Sequence, residues 1–411
     1  MKIILINKYL YPKGGDARIT IDTGNLLSRM GHEVIYWGME APENPVFPFR
    51  KYFVSHVDYN QPSSLFRQFK LLLNILYSLE ARDKIDALLK KVRPDIVHLG
   101  NFAHQISPSI LNVFKEHNIP MVMTLHDYKM VCASYQMLAG GKPCENCRNG
   151  RYYWCLIQKC TKRSYTKSLL NTIEMYLHHK VLHIYDLIDI CIPSSQFMEE
   201  KLKKMGFRNK MVRLPNFLDV NKYEPQYEWR DRTICYFGRV SEEKGIITLI
   251  EAMKGLDLKL KIIGDGPIKE SLQAKVKTEK MTNIIFLGFR SGKELEHEIR
   301  NSMIVVLPSI WYENYPRSVI EAFALGKPVI GARIGGIPEL VRDSETGLTF
   351  EPGNAADLRG TILSLLKARG KIVEMGKTAR AFVEEELNPE KHYQVLMQIY
   401  MEAINRCSIR K

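Results

Sequence analysis

Two glutamates eight positions apart, Glu313 and Glu321, bracket a stretch whose backbone could bind an anion. Between them run Asn314, Tyr315, Pro316, Arg317 and Ser318. A buried strand over Met303–Leu307 is expected to end at Pro308. Pro316 suits the first position of a helix, where a missing N–H costs nothing. Val319, Ile320, Phe323 and Ala324 give that helix an apolar face, and Gly326 stops it. A helix start at the carboxyl end of a strand is where α/β proteins bind anions. With a carboxylate on either side to accept hydroxyl hydrogens, the stretch suits a sugar–diphosphate–nucleoside. Taken alone, Glu321 could equally face solvent and Glu313 be a loop charge.

Two other loops decide between these readings. Gly238-Arg239 and Lys244 offer two cations near a glycine turn, and charge-assisted bonds to phosphate are among the stronger polar contacts. Gly264-Asp265-Gly266-Pro267 lets backbone approach a ligand closely. Glu321 would then accept ribose hydroxyls and Glu313 sugar hydroxyls. Two-carboxylate hydrolysis is the rival use of Glu313 and Glu321, and it leaves the cations without a purpose.

The elements that must position these residues follow from apolar periodicity. At 411 residues the chain calls for two domains. In the first half, strands are expected over 2–7, 34–37, 95–99, 121–125 and 188–192. Helices are expected over 19–30, 63–92, 109–117 and 169–184. Gly14-Gly15 fall in a loop, and His126-Asp127 end a strand. A turn-rich link near 210–225 leads to a second alternation, with strands over 234–237, 258–263, 284–288, 303–307 and 328–331. Short apolar strands separated by helices imply parallel sheets. The expected division is 1–209, with a Cys-rich insertion at 128–165, then 210–390, then a C-terminal helix over 391–411 packing back on the first domain. His98 reads as structural.

The combined motifs resemble a known family. Gly-Arg-Val-Ser-Glu-Glu-Lys-Gly (238–245), Gly-Asp-Gly-Pro (264–267) and Glu-x7-Glu-Ala (313–322) are similar to the donor site of family-four glycosyltransferases, retaining enzymes of GT-B fold. Pro-Asn-Phe-Leu-Asp (215–219), Gly335-Gly336, Gly14-Gly15 and His126-Asp127 extend the match over nearly the whole chain. The resemblance implies an α/β protein of GT-B architecture, with two Rossmann-like, doubly wound parallel-sheet domains facing a cleft. It implies transfer of a sugar from a nucleotide-diphosphate sugar to a glycan or lipid-linked acceptor. Arg239 and Lys244 would hold the leaving diphosphate, Glu313 would orient the sugar and Glu321 would bind ribose. Asn314, Tyr315 and Pro316 would place backbone beside sugar and phosphate, and Phe289 or Arg290 would border the base. Gly14 and Gly15 would form the acceptor-side loop, with His126 facing the donor sugar. The family's front-face displacement needs no catalytic metal, and there is no Asp-x-Asp motif. A nucleotide-sugar 2-epimerase of the same fold is the rival enzyme.

Two features lie outside that pattern. Cys144-x2-Cys147-x7-Cys155-x4-Cys160 could build a structural zinc site, with Cys132 as a substitute ligand. The net charge of +14 is uneven, nine of the excess positive charges falling in residues 1–205. The basic segment Lys159–Lys180, with Leu169, Leu170, Ile173, Tyr176 and Leu177, could lie on an anionic membrane. Leu71–Leu79 is too short to span one. A cytoplasmic protein, peripheral at the inner face of the membrane, is expected. A basic nucleic-acid-binding protein would show aromatic–basic stripes or a known module, and neither is present.

Overall fold

The computed structural model describes residues 1–57, 73–229 and 231–409. Part of the helical run expected over 63–92 lies outside these residues. Within them, the helix Leu79–Leu89 starts anew, because the Ser78 hydroxyl accepts from Ala81 N and caps it.

Two parallel sheets carry the architecture. The first comprises β1 (Lys2–Asn7), β2 (Glu33–Gly38), β3 (Ile96–Leu99), β4 (Met121–Leu125) and β5 (Ile190–Pro193). Their order is β2-β1-β3-β4-β5. The second comprises β6 (Thr233–Phe237), β7 (Lys259–Ile263), β8 (Ile284–Gly288), β9 (Ile304–Leu307), β10 (Val329–Ala332) and β11 (Gly347–Phe350), ordered β8-β7-β6-β9-β10-β11. Both sheets are doubly wound. Their strand order reverses between β1 and β3 in one and between β6 and β9 in the other. Such switch points open a crevice at the carboxyl ends of the strands. Gly238-Arg239 follow β6 and the Ser309–Glu313 loop follows β9, so the second crevice falls between the two loops singled out in the sequence.

Several boundaries differ from expectation. The first long helix runs Gly15–Arg29, not from Ile19, so Gly14 is its N-cap and Gly15 its first residue. Asp16 in the first turn favours this early start through the helix dipole. Pro316 is the N-cap of the helix Arg317–Ala324 and keeps an extended backbone. The helix expected over 169–184 runs Tyr165–Tyr176 and then loosens into a π-turn over Leu177–Val181.

The last helix, Pro389–Ile409, packs Leu396, Ile399, Tyr400 and Ala403 against Ile3, Leu5, Ile96, Val122, Ile190 and Ile192 of the first sheet. His98 fixes the contact, its ring nitrogens bonding Tyr400 Oη and Thr124 Oγ1 at 2.7 Å each. Tyr400→Phe leaves a buried imidazole nitrogen without its partner and is expected to cost about 1–3 kcal/mol. A thermal midpoint equal to the parent's would show that this bond does not hold the helix.

Candidate functional site

The second switch point holds a buried ion pair. Glu313 Oε1 accepts from Lys244 Nζ and from Ser309 Oγ, each at 2.6 Å. Burial alone would raise the Glu313 carboxyl, but Lys244 and the hydrogen bonds outweigh it and hold the group below the usual range. Lys244 sits in the short turn Glu242–Lys244. That turn is tied to the β9 loop by Ile310 N donating to Glu243 O. Gly336 is needed here: a Cβ on it would meet Asn314 O at 1.8 Å, so the turn after β10 clamps the backbone that carries Glu313.

Arg239 stands apart from this pair. It is exposed and lines a cavity of about 1590 Å³ between the carboxyl ends of the two sheets. His126 lines the same cavity from the opposite domain. Burial pushes the His126 imidazole down, with Asp16 and Asp127 partly opposing, so the ring is neutral at neutral pH. The cavity floor is polar. Lys129 Nζ donates to Glu174 Oε2 at 2.7 Å, and His104 Nε2 lies 3.0 Å from the same oxygen.

Residues of both domains meet across the cleft. Asn314 Nδ2 donates to Leu125 O at 2.9 Å, and Ser195 Oγ donates to Asn314 Oδ1 at 2.9 Å. Arg317 binds Glu321 at 2.9 Å and Asp22 of the first domain at 2.7 Å. Arg18 approaches the same Glu321 oxygen at 3.5 Å. Glu339 accepts from the backbone of Gln196 and Phe197, the first helical residue and its successor in Gln196–Met205. A carboxylate from one domain thus sits at a helix N-terminus of the other.

The sequence-derived set is therefore split. Arg239 and His126 line the cavity, whereas its described lining includes neither Lys244 nor Glu313. Glu321 has one oxygen engaged by two guanidinium groups rather than open to a ribose. The Asn314 side chain stitches the domains together, and Tyr315 is a core residue whose carbonyl accepts from Asn216. Asp265 is ion-paired with Lys269 at 2.9 Å, and Phe289 is exposed. Gly264 serves loop packing: its φ is +145°, and a Cβ would meet Gly238 O at 1.9 Å. Gly266 is likewise pressed against Val240, whose carbonyl a Cβ would meet at 2.2 Å. Arg18, Asp22, Arg317 and Glu339 were missed. Only the i, i+4 spacing of Arg18 with Asp22 and of Arg317 with Glu321 hints at them.

Comparison with known proteins decides the family. The family description Glycosyltransferase Family 4 matches residues 13–222, half of the chain, and Glycosyl transferases group 1 matches residues 220–382. The chain belongs to glycosyltransferase family 4. Among the relatives of this family 4 enzyme is the N-acetyl-alpha-D-glucosaminyl L-malate synthase of Bacillus anthracis. It is 24% identical over 404 residues, covering 96% of both chains. An uncharacterized glycosyltransferase of Methanocaldococcus jannaschii is 30% identical over 214 residues, which cover 52% of the chain and 59% of the relative. The structure of Anabaena HepE in complex with UDP and glucose aligns with a TM-score of 0.67 at 18% identity, over 97% of this chain and 99% of that one. That likeness fixes the GT-B fold.

Two features of this glycosyltransferase bear on the cysteine cluster and the basic segment. Among the described residues no group of three or more His, Cys, Asp or Glu is arranged to hold a metal ion. Cys144 and Cys160 both donate to Gln158 Oε1, at 3.2 and 3.8 Å. The helix Tyr165–Tyr176 buries its polar residues Ser168, Asn171, Thr172 and Glu174 and exposes Tyr165, Leu169 and Ile173. Among the described residues no helix is long and apolar enough to cross a membrane.

Proposed function

We propose that this chain is a retaining, metal-independent transferase. It moves a sugar from a nucleotide-diphosphate sugar to a glycan or lipid-linked glycan in polysaccharide or glycoconjugate biosynthesis. The observation that carries the reading is the Lys244–Glu313 pair at the second switch point, with Arg239 and His126 lining the cavity from opposite domains. The domain of residues 210–390 holds the donor and that of residues 1–209 takes the acceptor. Arg239 and Lys244 offset the charge that grows on the leaving diphosphate, a preorganised electrostatic role. Glu313, held ionised, accepts sugar hydroxyls and keeps Lys244 in place. The UDP and glucose named for the Anabaena structure, and the sugar named for the Bacillus relative, support a nucleotide-sugar donor.

A panel of nucleotide sugars, read by mass spectrometry of the products, tests the reaction. The anomeric configuration of the product tests retention. Turnover that persists in EDTA is expected; loss of turnover restored by a divalent cation would remove the metal-independent assignment.

Exposed Tyr165, with Leu169 and Ile173 at the cavity and Lys159, Arg163 and Lys167 close along the chain, also supports docking of this rim on an anionic membrane surface, which would hold the enzyme peripherally at the cytoplasmic face. Co-sedimentation with liposomes is expected to rise with acidic lipid. Replacing Leu169 and Ile173 by Ser should abolish it, and equal binding to neutral vesicles would count against the docking.

A further inference from the structure

The wall that the first domain gives to the large cavity is cationic. Among the described residues it contributes seven Lys or Arg side chains and one carboxylate, Asp127, whereas the second domain contributes Arg239 against Glu242 and Glu243. Two of the seven are neutralised, Lys129 by Glu174 and Arg163 by Glu242. Lys13, Lys159 and Lys167 form no ion pair among the described residues. The ammonium groups of the first two stand over the rings of Tyr9 and Tyr165, 3.9 and 4.0 Å from the centroids. Such a contact steadies a cation without cancelling its charge. Two of these lysines also occupy positions that local structure disfavours. Lys159 follows the helix Tyr153–Ile157 and its C-cap Gln158 with φ at +50°, where glycine is usual. Lys167 lies in the first turn of the helix Tyr165–Tyr176, which has no acidic residue there, so its charge opposes the helix dipole. Local rules broken twice on one wall point to a use for the side chains. The cavity, at about 1590 Å³, exceeds the roughly 300–1,000 Å³ of a single small-molecule pocket, so an acceptor has room beside the donor.

Resting on the transferase reading above, we propose that the acceptor carries a phosphate group, bound on this wall by Lys13, Lys159 and Lys167. A phosphate monoester bears about 1.5 to 2 negative charges near neutral pH, so it matches several ammonium groups where a carboxylate matches one. Each lysine supplies a compact charge with three donors, suited to phosphate oxygens approached from different sides. The donor's own diphosphate is served from the second domain by Arg239 and Lys244. The acceptor phosphate is a handle: it fixes the molecule while a hydroxyl elsewhere on it receives the sugar. Leu169, Leu170 and Ile173 line the same wall, which suits a phosphate carried by a lipid as well as one carried by a sugar.

Calorimetric titration of the full chain with farnesyl phosphate, glucose 6-phosphate and farnesol tests this, beside titrations with UDP, GDP and ADP. At least one phosphate probe should bind the parent. The triple variant Lys13→Ala, Lys159→Ala, Lys167→Ala should weaken that binding about tenfold or more, as loss of charge-assisted bonds predicts. The corresponding triple change to Arg should restore it. Nucleoside diphosphate binding should be unchanged in the triple Ala variant, which shows that it is folded, and should weaken in Arg239→Ala. Whichever phosphate probe binds more tightly identifies the source as lipid or sugar. The proposal is overturned if neither phosphate probe binds, if farnesol binds as tightly as farnesyl phosphate, or if the Ala variant binds like the parent. In those cases the transferase reading stands as long as a nucleoside diphosphate binds; if none does, both fall.

Discussion

Lys244→Ala is expected to lower kcat by about a hundred- to a thousandfold, the usual loss when one preorganised group is taken from a site of developing negative charge. Lys244 donates to Glu313 at 2.6 Å within a turn that is itself anchored to the β9 loop. Its ammonium is therefore in place before any substrate arrives. The substitution also leaves Glu313 buried with only the Ser309 hydroxyl on the same oxygen, so stability falls too. The two effects separate in the double variant Lys244→Met with Glu313→Gln. It removes the stranded charge and should regain much of the stability without regaining turnover. Single-turnover rates with a saturating donor, set beside thermal melts, provide the check. Full activity in Lys244→Ala would refute the assignment of this site.

Lys129→Met is expected to have the largest effect on stability, about 3–5 kcal/mol, because it strips a buried carboxylate of its ammonium. Glu174 is fully buried, and Lys129 is nearly so. Burial pushes the Glu174 carboxyl up, but Lys129 and His104 more than offset it, and the folded-state pKa lies well below the ordinary value. The contribution is therefore complete above the unfolded-state pKa and is lost as pH falls through the acid range towards the folded-state value. In Lys129→Met the sign reverses. With the ammonium gone, burial should dominate, and the variant should gain stability relative to wild type as acid protonates Glu174. Denaturant titrations at neutral pH and near pH 4 would show parallel curves if the pair did not matter.

The sequence revealed the two-domain alternation because each buried strand is a short apolar run, and a run's type survives without knowledge of its neighbours. It also located the loops around Gly238, Lys244 and Glu313, since they follow such runs directly. It could not reveal Arg18, Asp22 or Glu339. Their meaning depends on a second domain brought against them, which the i, i+4 spacing of Arg18 with Asp22 does not disclose. The helix Tyr165–Tyr176 shows another limit. Periodicity groups Leu169 with Ile173, but does not say which face turns inward. Glu174 turns inward because Lys129 and His104 wait there, and the apolar residues are left outside.

The helix Pro389–Ile409 imposes an order on synthesis as well as on structure. The face of the first sheet that carries Ile3, Leu5, Ile96, Val122 and Ile190 is covered by Leu396, Ile399 and Tyr400. On the ribosome, that face stays open to water until the segment from 389 onward has emerged. Domains made early usually fold early, but this one lacks a cover that only later residues supply. The nascent first domain should therefore depend on chaperone shielding while the second is being made.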